Sequence, residues 1–334
     1  MKLRTTILFP LLIALVATLF VIDVAVGDVH IPLRDTLDVL KGGGDEMWRD
    51  IIIEIRLIKA IVALLCGAAL SVGGLQMQTL FRNPLAGPYV LGVSAGASLG
   101  VALFLIGAPM LGAAAQPVMQ HLGTASAAWL GSALTLLAIL LLARRIKDIM
   151  VVLILGMMFT SAIGAVVEML QYFGTESALK SYVVWTMGSL GNVTYEQLYV
   201  IAPVVGAGLL LAVVAIKPMN MLLFGEQYAR TMGLNVGRTR LLLLLSTTLL
   251  AGTVTAFCGP IGFVGLAVPH MARMLFASAD HRTLVPASAL LGASMLLAGD
   301  ITAKYFTLPI KTVTALMGIP MVIYIVLRKK TLMQ

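Results

Sequence analysis

Long apolar runs, nearly free of charge and repeated along the whole chain, constrain this sequence more than any motif does. They cover residues 6–26, 57–77, 89–107, 123–142, 150–173, 198–216, 241–257, 261–276, 284–303 and 313–327. A membrane-spanning helix needs about 20 predominantly apolar residues. The runs are continuous rather than alternating, so they read as helices and not as strands of a barrel. Ten spans consume most of the 334 residues and leave room for connections but not for a large soluble domain. Composition agrees: 60% of residues are hydrophobic and 11% charged, far from a soluble domain. The expectation is an all-α polytopic membrane protein of about ten transmembrane helices, forming one domain over 1–334.

An even number of spans puts both termini on one side of the bilayer. With Met1 in the cytoplasm, 15 of the 23 lysines and arginines fall on inner loops and ends, among them Arg82, Arg144, Arg145, Lys147, Arg230 and the final Arg328, Lys329 and Lys330. Arg34, Lys41, Arg49, Arg56, Lys59, Lys180, Lys304 and Lys311 fall outside. The positive-inside rule favours that orientation, and a missed span would invert every later loop. The net charge of +8 therefore reads as topology rather than as a nucleic-acid surface.

Two connections carry more polar residues than a turn needs. The inner one spans about 217–240, and its centre from Gly225 to Gly233 reads as a short helix closed by glycine. The outer one spans about 174–197; residues 177–185 read as an interfacial helix anchored by Tyr182 and Trp185. Asn83-Pro84 and Gly259-Pro260 read as tight turns, because proline disfavours helix before it. Gly92, Gly96 and Gly100 form a small-residue stripe suited to close helix packing.

No phosphate-binding loop, zinc motif or nucleophile elbow occurs, so ATP hydrolysis would have to come from another chain. Cys66 and Cys258 lie in apolar segments and read as small packed side chains. Ionisable groups inside membrane segments are functional candidates by default. Glu168 reads either as a wall of a water-filled pathway or as a structural hydrogen-bond partner. Asp300 stands one helical turn before Lys304, a spacing that favours an ion pair. Asp23 lies where headgroups could hydrate it, and His270 reads as a packed, hydrogen-bonded residue. Arg56, Lys59 and Lys304 are outer cations able to receive acidic groups of a partner, or helix-end anchors.

Several segments in order resemble one family. They are Arg56-Leu-Ile-Lys59, Gly67-Ala-Ala-Leu-Ser71, Gln78 with Arg82-Asn-Pro-Leu-Ala86, and Leu91-Gly-Val-Ser-Ala-Gly96. Pro218-Met-Asn-Met221, Gly225-Glu226, Ala229-Arg230, the run Gly259 to His270, Asp280-His-Arg282 and Thr314-Ala-Leu-Met-Gly318 follow. The chain thereby resembles the FecCD family, permeases of ABC importers for iron-siderophores, haem and vitamin B12. The resemblance implies a type II importer permease fold in a bacterial inner membrane, with both termini cytoplasmic. It implies a dimer with itself or a close homologue, two cytoplasmic ABC ATPase subunits that use ATP and magnesium, and an outer substrate-binding protein. This chain would bind no cofactor, metal or nucleic acid and catalyse nothing itself.

By the same resemblance Pro218, Met219, Asn220, Gly225, Glu226, Ala229, Arg230, Gly233 and Leu234 couple to the ATPase. Arg56, Lys59 and Lys304 dock the binding protein, two of them lysine where arginine is common. The fifth and tenth spans line the pathway, making Glu168 a candidate wall residue. The competing class is an ion-gradient transporter using Glu168 and Asp300. Among the cargoes, no residue decides.

Overall fold

The computed structural model describes residues 2–331 apart from 28, 30, 44, 111–116, 144, 145 and 147. Arg144, Arg145 and Lys147 thus lie outside the described residues, as do the side chains of Lys2 and of residues 328–330. Each apolar run holds one helix: α1 (Lys2–Ala25), α2 (Ile58–Leu80), α3 (Val93–Ala102), α4 (Pro117–Ala143), α5 (Ile149–Phe173), α6 (Tyr195–Val214), α7 (Val236–Cys258), α8 (Val264–Phe276), α9 (His281–Phe306) and α10 (Ile310–Thr331). Six of them, α1, α4, α5, α6, α7 and α9, are long and apolar enough to cross a bilayer by themselves. Several starts are set by side chains that satisfy orphan amides: Asp148, Asn235 and Asp280 cap α5, α7 and α9, and Thr194 with Gln197 forms a capping box on α6.

Two faces alternate along the chain. The near face carries the starts of α1, α3, α5, α7 and α9; the far face carries their ends. The inner connection forms two short near-face helices, Ile216–Leu222 and Glu226–Thr231, hinged at Gly225 (φ +99°), where the sequence suggested one. The far-face helix Glu176–Thr186 occupies the outer connection as expected. Two elements were not legible from hydropathy. Leu33–Leu40 is helical, and a helical run begins at Glu46, continues as a π-helix over Asp50–Leu57 and passes directly into α2. Charged Asp50, Glu54 and Arg56 mask that run as polar connection.

The core is built around α2, buried along nearly its whole length, with α9 antiparallel beside it. Their backbones touch: a Cβ on Gly67 would lie 2.2 Å from the Gly292 carbonyl oxygen. Ser71 Oγ donates to Ser288 O at 2.7 Å across the same seam. Two turns further along the same face of α2, a Cβ on Gly74 would lie 1.8 Å from Gly265 O of α8. Two of the three stripe glycines behave as the sequence suggested, with Gly100 packed against the Ala127 carbonyl and Gly96 against Gly131, so α3 and α4 meet backbone to backbone, while Gly92 (φ +74°) is the left-handed cap before α3 and faces α5.

Candidate functional site

On the far face four charged side chains from three helices close into one cluster. Lys304 Nζ lies 2.7 Å from Asp23 Oδ1 and 3.0 Å from Asp300 Oδ2, and Lys59 Nζ lies 3.1 Å from Asp300 Oδ1. Lys304 also donates to the Asp23 carbonyl oxygen at 2.8 Å. The Asp300–Lys304 pair is the one the i, i+4 spacing suggested. Asp23 corrects the sequence reading: it is 0% exposed, held inside the protein and not hydrated by headgroups. Two carboxylates and two ammonium groups balance, which is what permits their burial. Lys59, Asp300 and Lys304 also line a cavity of about 270 Å³ open to the far face, with Ser189 and Thr307 on its rim.

Of the two readings open for Arg56, the structure bears on the helix-end one. It is 4% exposed, and its guanidinium donates to Ala25 O at 2.8 Å and to the carbonyls of Val24 and Val29. It caps the end of α1, where orphan carbonyls need donors, and presents no free fork outward. Lys311 does similar work, donating to Thr186 O at 3.2 Å at the end of Glu176–Thr186. Tyr182 of that helix is buried, not interfacial, and its hydroxyl pairs with Ser98 of α3; Trp185 is half-buried. Cys66 and Cys258 are packed free thiols, as the sequence suggested, yet their sulfurs stand 3.6 Å apart.

On the near face the two short helices are fixed from several directions. Glu226 pairs with Arg240 through two oxygens at 2.6 and 2.7 Å, tying Glu226–Thr231 to α7. Asn220 Nδ2 donates to Asp280 Oδ1 at 2.7 Å, and Arg82 donates to Leu223 O at 3.2 Å. The Arg282 amide and the Asn220 side chain both donate to Asp280 and hold its carboxyl below the usual range. Of the nine residues that the resemblance assigns to ATPase coupling, Met219 and Ala229 are buried and serve packing. Glu226 and Asn220 face inward on partners, while Arg230 and Gly233 are exposed and Pro218, Gly225 and Leu234 half-buried. The sequence reading missed Phe224 and Tyr228, which are 68% and 58% exposed with ring centroids 5.9 Å apart. An aromatic pair in a polar loop of an apolar chain was the available signal.

His270 is packed and hydrogen-bonded to Pro84 O at 2.8 Å, in line with its sequence reading. Glu168 lies exposed on α5 and has no ion-pair partner among the described residues.

A family model described as the FecCD transport family matches residues 13–328, nearly the full bundle. The chain belongs to the FecCD transport family. As a FecCD permease it is a multi-pass membrane subunit of the ABC importer type. It is 35% identical to the hemin transport system permease protein of Yersinia pestis, over 86% of this chain and 85% of that one. It is 36% identical to the vitamin B12 import system permease protein of Klebsiella pneumoniae, over 97% and 94% respectively. Among solved structures, a metal-chelate type ABC transporter in an inward-facing conformation superposes with a TM-score of 0.83 at 29% identity, covering 97% of this chain and 99% of that one.

Proposed function

We propose that this FecCD permease carries an iron chelate, as ferric siderophore or haem, or vitamin B12 into the cytoplasm. Transport proceeds by alternating access at an interface with a second copy or close homologue. Two ATPase subunits on the near face drive it. Its near face is cytoplasmic, as the distribution of lysine and arginine favours. The observation that carries the reading is the near-face helix pair, rigidly tied to α7 and α9 while showing Phe224, Tyr228 and Arg230 to the outside. A segment anchored on its inner side and aromatic on its outer side suits a partner that must push on the bundle. The cargo range follows relatives whose names specify hemin and vitamin B12.

On the far face the docking reading narrows. Arg56 leaves it, because its donors serve α1. Lys59 remains the accessible cation at the mouth of the far-face cavity, where an acidic side chain of a binding protein would meet it, while the Lys304 ammonium behind it is held by Asp23 and Asp300. The ion-gradient alternative loses its second carrier, because Asp300 is held between two lysines. Exposed Glu168 stays a pathway candidate on α5.

The test is purification from native membranes in mild detergent, with ATPase retention measured on the unaltered chain and on Phe224→Ala with Tyr228→Ala. An ATPase should co-purify one per copy, and the double variant should weaken its retention by roughly tenfold or more, as loss of an aromatic anchor does. Undiminished retention would place the contact elsewhere. Recovery of the chain alone, accumulating cargo in vesicles on an ion gradient without ATP, would end the ABC reading.

A further inference from the structure

The family motif Asp280-His281 is absorbed neither by docking nor by the pathway, yet it meets Asn220 of the coupling segment at one point. The amide of Asn220 is oriented without ambiguity: its Nδ2 donates to Asp280, so its Oδ1 faces His281. That oxygen accepts the His281 backbone N–H at 2.9 Å and lies 2.7 Å from the ring Nδ1, which must therefore carry a hydrogen. The other ring nitrogen, Nε2, lies 2.8 Å from Thr79 Oγ1, and Thr79 Oγ1 lies 2.8 Å from Leu75 O. The chain of contacts runs from the short helix Ile216–Leu222, through the first residue of α9, into the last turn of α2.

The same two helices are joined twice more. Ser71 bonds Ser288 across the glycine seam, and Lys59 pairs with Asp300 at the far end. With backbones in contact at Gly67 and Gly292, no compressible side-chain layer separates them, so α2 and α9 cannot slide independently. α9 is 26 residues long, about 39 Å at 1.5 Å per residue, which spans the bundle from the Asn220 contact to the Lys304 cluster.

We infer that Asn220, His281 and Thr79 are positioning residues: they form the joint through which the near-face segment moves α2 and α9 as one body and so delivers nucleotide-driven motion to the far-face Asp23–Lys304–Asp300–Lys59 cluster. This deepens the ATP-driven importer reading and rests on it. The joint, and not the exposed surface of the short helices, sets whether ATPase motion reaches the far face.

The experiment uses the permease–ATPase complex in lipid nanodiscs, with a spin label on Tyr305→Cys, an exposed residue at the far end of α9. The probe is Mg-ATP alone, with no cargo required. In the otherwise unaltered chain, Mg-ATP should change the distance between labels on the two copies. Thr79→Val removes one hydroxyl at nearly constant shape, and His281→Phe removes both ring nitrogens of the joint while keeping a ring in its place. Each should leave ATPase retention and hydrolysis within about twofold and cut the fraction of labels that respond by roughly fivefold, the scale of a lost coupling. A label response of undiminished size in both variants overturns the joint. Loss of ATPase retention in both also overturns it, since the residues would then only hold the fold. A parent complex that hydrolyses ATP with no response at residue 305 overturns it as well. Failure of any ATPase to associate with the unaltered chain is a separate result, which sinks the importer reading and this one with it.

Discussion

Lys304→Met should destabilise the protein by about 3–5 kcal/mol, the usual cost of stripping a buried charge of its partner. Lys304 neutralises Asp23, which no other cation reaches among the described residues, and shares Asp300 with Lys59. Removing it leaves the Asp23 carboxylate without a counter-charge at 0% exposure. The double variant Lys304→Met with Asp23→Leu removes the orphaned carboxylate and leaves the Lys59–Asp300 pair whole. It should recover most of the lost stability, because replacing a buried pair by apolar groups is far cheaper than breaking it. Thermal unfolding of the detergent-solubilised protein checks both. A single variant that melts with the unaltered chain, or a double variant as unstable as the single, would show that the cluster is hydrated.

Gly74→Ala is the second large effect. The new methyl would sit 1.8 Å from the Gly265 carbonyl oxygen, a backbone atom that cannot swing aside, so α2 and α8 must part. Overpacking of this kind costs about 1–3 kcal/mol and sometimes more. Separating these helices also disturbs the α9 contact at Gly67, two turns away on the same face of α2, so uptake should fall with stability. Gly206→Ala in α6 is the matched control, since a Cβ there would meet nothing within 4 Å and alanine favours helix by up to about 1 kcal/mol. Equal melting temperatures for the two variants would mean that the α2–α8 contact is looser than the geometry shows.

The two effects differ in how far the sequence announced them. Asp300 and Lys304 sit on one helix at a spacing visible in the sequence, and they pair as expected. Asp23 is 281 residues from Lys304 and only folding brings them together, so the sequence expected hydration for a helix-end carboxylate that the fold buries. Arg56 shows the same limit. Sequence puts a cation at an outer helix end, but only the tertiary structure shows that the end of α1 takes up its donors. On the near face, glycines and polar residues marked an irregular segment. Which of its side chains face inward depended on partners from α7 and α9 that local pattern cannot specify.

By itself the sequence determined the solvent, the succession of apolar helices and the family. Apolar runs of fixed length, punctuated by Asn83-Pro84 and Gly259-Pro260, are local properties of the chain, because each helix in a bilayer must satisfy its own backbone. The tertiary structure decided which helices touch, and hence which charges are neutralised, which far-face cation is a cap, and which loop residues contact α7 and α9. Those outcomes depend on contacts between residues far apart in the chain, where geometry and not periodicity sets the interaction.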